Sequence, residues 1–125
     1  MDDRQIRKML MTMLTNLDAD AEYELRHEDF VAEMPQSGER IRGRDNFVAV
    51  NTNYPAQGRW HIRLERLMAE GDEVASQVHV TDGTIQATAI TFSTVRDGRI
   101  WRQVEYWPDP FEAQAWRARW VELRP

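Results

Sequence analysis

The spacing of apolar residues divides the chain into a helical first part and an extended second part. Over residues 5–17, apolar side chains recur every three or four positions, which predicts an amphipathic helix. Asp18 is a typical helix N-cap residue, and it predicts a second, short helix over residues 19–26. A third helix is expected from Asp45 onward, and the sequence Asn53-Tyr54-Pro55 ends it.

Strand patterns follow in two groups. Residues 30–34 and 40–42 predict a short hairpin around the turn-forming sequence Pro35-Gln36-Ser37-Gly38. Beyond Gly58, four extended segments are separated by two-residue turns suited to positive φ, so we expect an antiparallel meander. Its strands are expected at residues 60–69, 73–81, 84–95 and 99–107, with turns at Glu70-Gly71, Asp82-Gly83 and Asp97-Gly98. The tail is expected to end in a short helix through Phe111, Trp116 and Trp120.

The turn lengths predict which side chains share a face of the sheet, because side chains alternate along a strand. Pairing Asp72 with Ala69, Thr81 with Thr84 and Arg96 with Arg99 places bulky aromatic and polar residues on one face. The other face then carries small and β-branched residues such as Val78, Ala89 and Thr91. We expect the helices to cover the first face around a ligand cavity and the second to join a twin subunit. The opposite assignment, with the small residues under the helices, is the alternative.

Composition narrows the classes of function. The 125 residues include no cysteine, which excludes disulfides, thiolate metal sites and cysteine nucleophiles. A net charge of −5 argues against a nucleic-acid partner, and no apolar run is long enough to span a membrane. Residues 1–40 hold ten acidic and five basic side chains, whereas residues 41–125 hold eleven of each. The expectation is a single domain over residues 1–125 of a cytoplasmic protein.

The order of elements and two local sequences resemble the nuclear transport factor 2-like superfamily and, within it, the SnoaL-like family. The two stretches are the hairpin sequence His27-Glu28-Asp29-Phe30-Val31-Ala32-Glu33-Met34-Pro35 and the last strand, from Asp97-Gly98-Arg99-Ile100 to Glu105-Tyr106-Trp107. The resemblance implies an α+β fold in which a cone-shaped, curved, mixed or antiparallel sheet wraps around three N-terminal helices, followed by a short C-terminal helical tail. It also implies a small apolar organic ligand and a homodimer through the open sheet face.

Family functions transfer only in part. Ketosteroid isomerases of this superfamily have an aspartate general base before the hairpin proline, where this chain has Met34. SnoaL-like polyketide cyclases use an acid/base carboxylate on the last strand, which corresponds to Glu105. Limonene epoxide hydrolases need an Asp-Arg-Asp set, of which Arg66 and Glu105 supply two positions. The resemblance therefore favours a cofactor-free cyclase, isomerase or dehydratase; the alternative is a non-catalytic ligand-binding or dimerisation module.

Glu105 is the first candidate for chemistry, because a carboxyl between Trp101 and Trp107 loses hydration, which raises its pKa. His79 is the second candidate, as a partner across the cavity. His27 is expected at the pocket rim, and its neighbours lack the spacing of a metal site. No metal or other cofactor is expected. The remaining candidate ligand-binding residues are Phe30, Met34, Tyr54, Trp60, Ile62, Leu64, Gln77, Phe92, Trp101, Gln103 and Trp107.

Overall fold

The structure is a computed structural model that describes residues 4, 5, 8, 19–55 and 60–125. The first predicted helix, over residues 5–17, lies almost entirely outside the described residues. The other predicted elements are present with shifted ends. In chain order they are α1 (Ala19–Glu24), β1 (Arg26–Met34), β2 (Glu39–Arg42), α2 (Arg44–Thr52), β3 (His61–Glu70), β4 (Glu73–Thr81), β5 (Gln86–Arg96), β6 (Arg99–Tyr106) and a 3₁₀ helix (Ala115–Trp120).

The strands form one mixed sheet in the order β2-β1-β6-β5-β4-β3. Strands β3 to β6 make the predicted antiparallel meander. Strand β1 pairs with β2 in the predicted hairpin, and on its other side it lies parallel to β6, with Ala32 opposite Gln103. The α+β fold class is confirmed, including the C-terminal helical turn. None of the helices in the described part of the chain is long and apolar enough to cross a membrane.

Two of the three meander turns differ from the prediction. Arg96 pairs with Arg99 as expected, around Asp97 and Gly98 with φ of 52° and 75°. Between β3 and β4, however, Glu70 pairs with Glu73, so the predicted pairing of Asp72 with Ala69 is wrong.

The turn between β4 and β5 is longer than predicted. Thr81 pairs with Gln86, not with Thr84. The Asp82 carboxylate accepts hydrogen bonds from the backbone N–H groups of Thr84 and Ile85, at 2.9 and 2.7 Å. These bonds hold a four-residue loop in place of the two-residue turn.

Two β-bulges decide which residues face the core. Glu65 is the extra residue in β3, and Trp101 is the extra residue in β6, opposite the step from Thr94 to Val95. Each extra residue moves the following side chains to the opposite face of the sheet.

The predicted faces are consequently wrong for β4 and β5. Their small and β-branched residues form the inner face, and the buried ones are Val74, Val78, Val80, Ala89, Ser93 and Val95. The expected subunit interface made of these residues is therefore wrong, and the alternative assignment describes these two strands. We call the opposite side, which carries Met68, Ala75 and Phe92, the outer face.

The core contains two apolar clusters on the inner face. In the first, the Phe30 and Phe47 rings meet edge to face at 5.1 Å, which packs α2 onto β1. This cluster also contains Ala32, Ile41, Val74, Val95 and Ile100. The second, around Val78, Val80 and Ala89, packs against Trp60, Ile62, Leu64 and Ala87.

Candidate functional site

Polar side chains lie on the inner face between the two apolar clusters. Thr91 of β5 is opposite Ser76 on one side and opposite Glu105 on the other. Two residues further along β5, on the same face, Ser93 is opposite Gln103, and both are buried. We call Ser76, Thr91, Ser93, Gln103 and Glu105 the polar row. Polar groups in an apolar surrounding are able to orient a bound organic molecule.

Glu105 is the ionisable member of the polar row. It is partly buried, and the Gln103 side-chain amide donates a hydrogen bond of 2.8 Å to its carboxylate. Burial raises the pKa of Glu105, while hydrogen bonds from the Gln103 and Trp107 side chains and the charge of Arg26 act in the opposite direction. Its proton exchange therefore moves toward neutral pH, as acid–base chemistry requires.

Arg26 is a buried cation that the sequence analysis missed, because residue 26 was expected at the end of a helix. It is 3% exposed at the start of β1. Its guanidinium forms an ion pair of 2.7 Å with Glu22 and lies 4.2 Å from the centre of the Phe47 ring. Burial lowers the pKa of Arg26, which the charges of Glu22 and Glu105 oppose. The four-residue spacing from Glu22 is the sequence signal that indicates the pair.

One donor of Arg26 has no partner in the part of the chain that the structure describes. Its Nε is buried and forms no hydrogen bond. A buried donor without an acceptor costs about 1–3 kcal/mol. An acceptor supplied by a ligand would remove that cost, so Arg26 is a candidate for binding an oxygen atom.

Part of the predicted ligand-binding set lies on the inner face. Gln103 and Glu105 are adjacent there, Trp60, Ile62 and Leu64 pack on the second apolar cluster, and Met34 packs on the first. The Tyr54 ring meets Trp60 edge to face at 5.3 Å, and Trp107 is 38% exposed. Phe30 is completely buried in the first cluster, so it is a core residue.

The other predicted residues lie on the outer face, so their expected place beside Glu105 is wrong. His79 forms a 2.8 Å hydrogen bond with Gln86, and Gln77 pairs with Ile90. Phe92 is 49% exposed. Trp101 lies between two guanidinium groups, 4.5 Å from Arg96 and 4.1 Å from Arg102. The bulge at Trp101 causes the disagreement, because it reverses the faces of β4 and β5 relative to Glu105.

His27 links β1 to the turn between β5 and β6. Its Nδ1 accepts a hydrogen bond of 3.0 Å from the Asp29 backbone N–H, so the proton is assigned to Nε2, which lies 3.2 Å from the Asp97 carboxylate. Both ring nitrogens are thus engaged in local hydrogen bonds. Within the residues the structure describes, no three His, Asp or Glu side chains come together as metal ligands.

Two of the open depressions in the described part of the chain are of interest, and neither is lined by Glu105. His27, Glu28, Asp97 and Arg99 line one of them. The other lies against the outer face at the β3–β4 hairpin, and its lining includes Met68, Ala75 and Phe92.

Comparison with known proteins gives consistent results. An NTF-2 like protein of unknown function from Burkholderia xenovorans is 28% identical, with 98% of each chain covered and a TM-score of 0.81. A candidate ketosteroid isomerase from Kribbella flavida is 31% identical over 98% of this chain and 91% of its own, with a TM-score of 0.87. No curated protein matches significantly. The model of the SnoaL-like domain matches residues 6–103. The chain thus belongs to the SnoaL-like family of nuclear transport factor 2-like proteins.

Proposed function

We propose that the protein binds a small, largely apolar organic molecule against the inner face and that Glu105 exchanges a proton with it. The observation that carries this proposal is the raised pKa of a partly buried carboxyl in a polar row between two apolar clusters. The apolar clusters suit the carbon frame of such a ligand. The polar row suits one oxygen-bearing group on it.

The reaction that fits best is proton transfer at a carbon next to a carbonyl. The Glu105 carboxylate takes the proton from carbon, the electron pair of the C–H bond forms a carbon–carbon double bond, and the π pair of the carbonyl moves onto its oxygen as an enolate. The Glu105 acid then returns the proton. This step belongs to a cofactor-free cyclase, isomerase or dehydratase. His79 has no part in this step, because its side chain lies on the outer face of the sheet.

The Kribbella protein supports the isomerase version, because it is described as a candidate ketosteroid isomerase. Met34 stands before Pro35, where isomerases of this superfamily have their aspartate base. Glu105 is the ionisable group that we assign to that task here. A charged partner nearby, Arg26, also favours an enzyme over the non-catalytic binding module.

Proton exchange is tested by deuterium uptake. The native protein, incubated in D₂O with the apolar ketone 2-tetralone, is expected to accelerate deuterium incorporation next to the carbonyl, as followed by proton NMR. Glu105→Gln is expected to lose about 10²- to 10⁴-fold of that acceleration, the usual contribution of a general base. Glu112→Gln, on the exposed tail, is the matched control. Equal rates for Glu105→Gln and the native protein would remove Glu105 from the mechanism.

Ligand binding is tested separately by native mass spectrometry of the freshly purified protein. An additional mass that is released on activation and is absent from Glu105→Gln is expected. Two results together would contradict ligand binding at the inner face. They are the mass of the protein without any added molecule and a tryptophan fluorescence, from Trp60 and Trp107, that 2-tetralone does not change.

The stability of the protein is expected to report the raised pKa of Glu105 directly. A carboxyl whose pKa is raised by folding binds its proton more tightly in the folded state, so its stabilising effect is complete below the unfolded pKa of about 4.3. That effect is lost as the pH rises through the folded pKa. Glu105→Gln is therefore expected to gain stability relative to the native protein from pH 4 to pH 8, as measured by urea unfolding. A difference that stays constant over this pH range would contradict the raised pKa of Glu105.

We also propose that the protein is a homodimer that uses the outer face. Met68 is 58% exposed and Phe92 49% exposed on this open side of the sheet, which is more apolar surface than water alone favours. Light scattering at micromolar protein is expected to give twice the mass of the chain. The mass of one chain would contradict the dimer.

A further inference from the structure

The chain after β6 exposes an unusual amount of apolar surface. We call residues 108–125 the C-terminal arm. Its large apolar side chains are almost fully in solvent, with Trp116 at 70%, Trp120 at 69%, Phe111 at 77% and Leu123 at 81% exposed. No residue of its 3₁₀ helix is buried. Exposed apolar side chains gathered on one segment indicate a surface that binds another protein surface.

The arm contains two local side-chain contacts. The Trp116 indole N–H donates a hydrogen bond of 2.7 Å to the Gln114 side chain. The Arg119 guanidinium lies 4.7 Å from the centre of the Trp120 ring. Tryptophan and arginine are the side chains enriched at interface centres.

A complementary surface lies on the outer face at the β3–β4 hairpin. Met68, Ala75 and Phe92 are adjacent across β3, β4 and β5 and line an open depression, which we call the hairpin groove. Glu70 and Glu73 form its rim. Neither carboxylate forms an ion pair within the described residues, although Glu73 accepts a hydrogen bond of 2.9 Å from Thr94.

The arm helix and the hairpin groove match in both polarity and charge. The arm helix, Ala115–Trp120, carries two arginines and no acidic residue, whereas the groove has an apolar floor and two carboxylates at its rim. In the single chain both surfaces are exposed, so the arm does not occupy its own groove.

We propose that the C-terminal arm of one copy docks in the hairpin groove of a second copy. Trp116 and Trp120 cover the apolar floor, and Arg117 and Arg119 meet Glu70 and Glu73. This inference rests on the proposed homodimer and names the residues through which the two copies touch. A two-fold axis makes the exchange reciprocal, so the assembly closes as a dimer.

The area available for burial reaches the lower end of the range of specific interfaces. Four tryptophan side chains of about 150–250 Å² each, which are about 70% exposed, remove roughly 400–700 Å² from water. A matching area on the two grooves brings the total to roughly 800–1,400 Å², against the ~1,200–2,000 Å² of specific interfaces.

Complementary charge reversal tests this contact with the full chain. One variant reverses the arm, Arg117→Glu with Arg119→Glu, and a second reverses the groove rim, Glu70→Arg with Glu73→Arg. Each variant alone is expected to weaken the dimer at least tenfold in sedimentation equilibrium, because like charges then face each other. Mixed together, the two variants are expected to associate at near-native strength, since both contacts of the mixed dimer regain opposite charges.

The outcomes separate this contact from the dimer itself. A monomeric native protein at 100 μM would overturn both proposals. A native dimer that neither variant weakens would overturn the arm contact and leave the homodimer standing. Two weakened variants that fail to associate in the mixture would also overturn the arm contact. The same result is expected if each arm binds the groove of its own chain, because mixing then restores no opposite charges. Circular dichroism checks that both variants fold. Val50→Ser, which replaces an exposed apolar side chain on α2 outside the arm and the groove, is the control and is expected to leave the dimer unchanged.

Discussion

Replacing Phe30 with alanine is expected to lower the free energy of unfolding by about 3–5 kcal/mol. The side chain is completely buried and meets Phe47 edge to face, so its removal leaves a cavity between β1 and α2. Domains of this size are stable by about 5–15 kcal/mol, so this loss is a large part of the total. Urea unfolding measured by tryptophan fluorescence gives the number.

Val50→Ala on α2 is the control, because an apolar side chain is shortened where it is 48% exposed. The expected change there is within about 0.5 kcal/mol. If Phe30→Ala does not fold, Phe30→Leu nearly conserves the volume and is expected to cost less than about 1.5 kcal/mol. Equal effects of Phe30→Ala and Val50→Ala would contradict the assignment of Phe30 to the core.

Replacing Arg26 with methionine is expected to have an effect of similar size, for an electrostatic reason. The guanidinium is 3% exposed and pairs with Glu22, whose side chain is only 14% exposed. Removing the cation breaks a buried ion pair, which costs about 3–5 kcal/mol. The double variant Arg26→Met with Glu22→Gln is expected to recover part of the loss, because the Glu22 charge is then absent.

Arg40→Met is the matched control for Arg26→Met. Arg40 also forms an ion pair of 2.7 Å, with Glu33, but both side chains are about half exposed. Its loss is expected to cost no more than about 1 kcal/mol. If Arg26→Met and Arg40→Met are equally mild, the buried ion pair has little role in stability.

Arg26→Met also tests the link to the candidate site. The Arg26 charge lowers the pKa of Glu105, against the larger effect of burial. Without that charge the pKa of Glu105 is expected to rise further. Carbon-13 NMR of the Glu105 carboxyl measures the shift, with Glu105→Gln to assign the signal. An unchanged titration would show that Arg26 acts on stability alone.

The order of elements could be predicted from local patterns. The expected N-cap residue Asp18 and the stop sequence Asn53-Tyr54-Pro55 indicated the two helices that the structure describes, and the glycine-containing turns indicated the meander. The turn at Asp97-Gly98 was predicted correctly because two consecutive residues with positive φ favour that pair of residue types. Such signals depend on a few neighbouring residues, so the sequence contains them directly.

The faces of the sheet could not be predicted in the same way. A single extra residue at Glu65 or at Trp101 reverses every later side chain, and a bulge has no strong sequence signal. Glu105 and Gln103 were assigned to the right face, while His79 was assigned to the wrong one. The error came from one position of register, not from the identities of the residues.

By itself the sequence determined the fold class, the family and the chemistry available without cysteine: carboxylate, imidazole, guanidinium and amide groups. Tertiary structure alone decided which of these groups meet. It placed Arg26, a strand residue expected in a helix, near Glu105, and it moved Trp101 between two arginines on the outer face. The physical reason is that burial and charge contacts arise between residues distant in the chain, and their partners depend on strand register. Local patterns predict the strands, and long-range pairing assigns their faces.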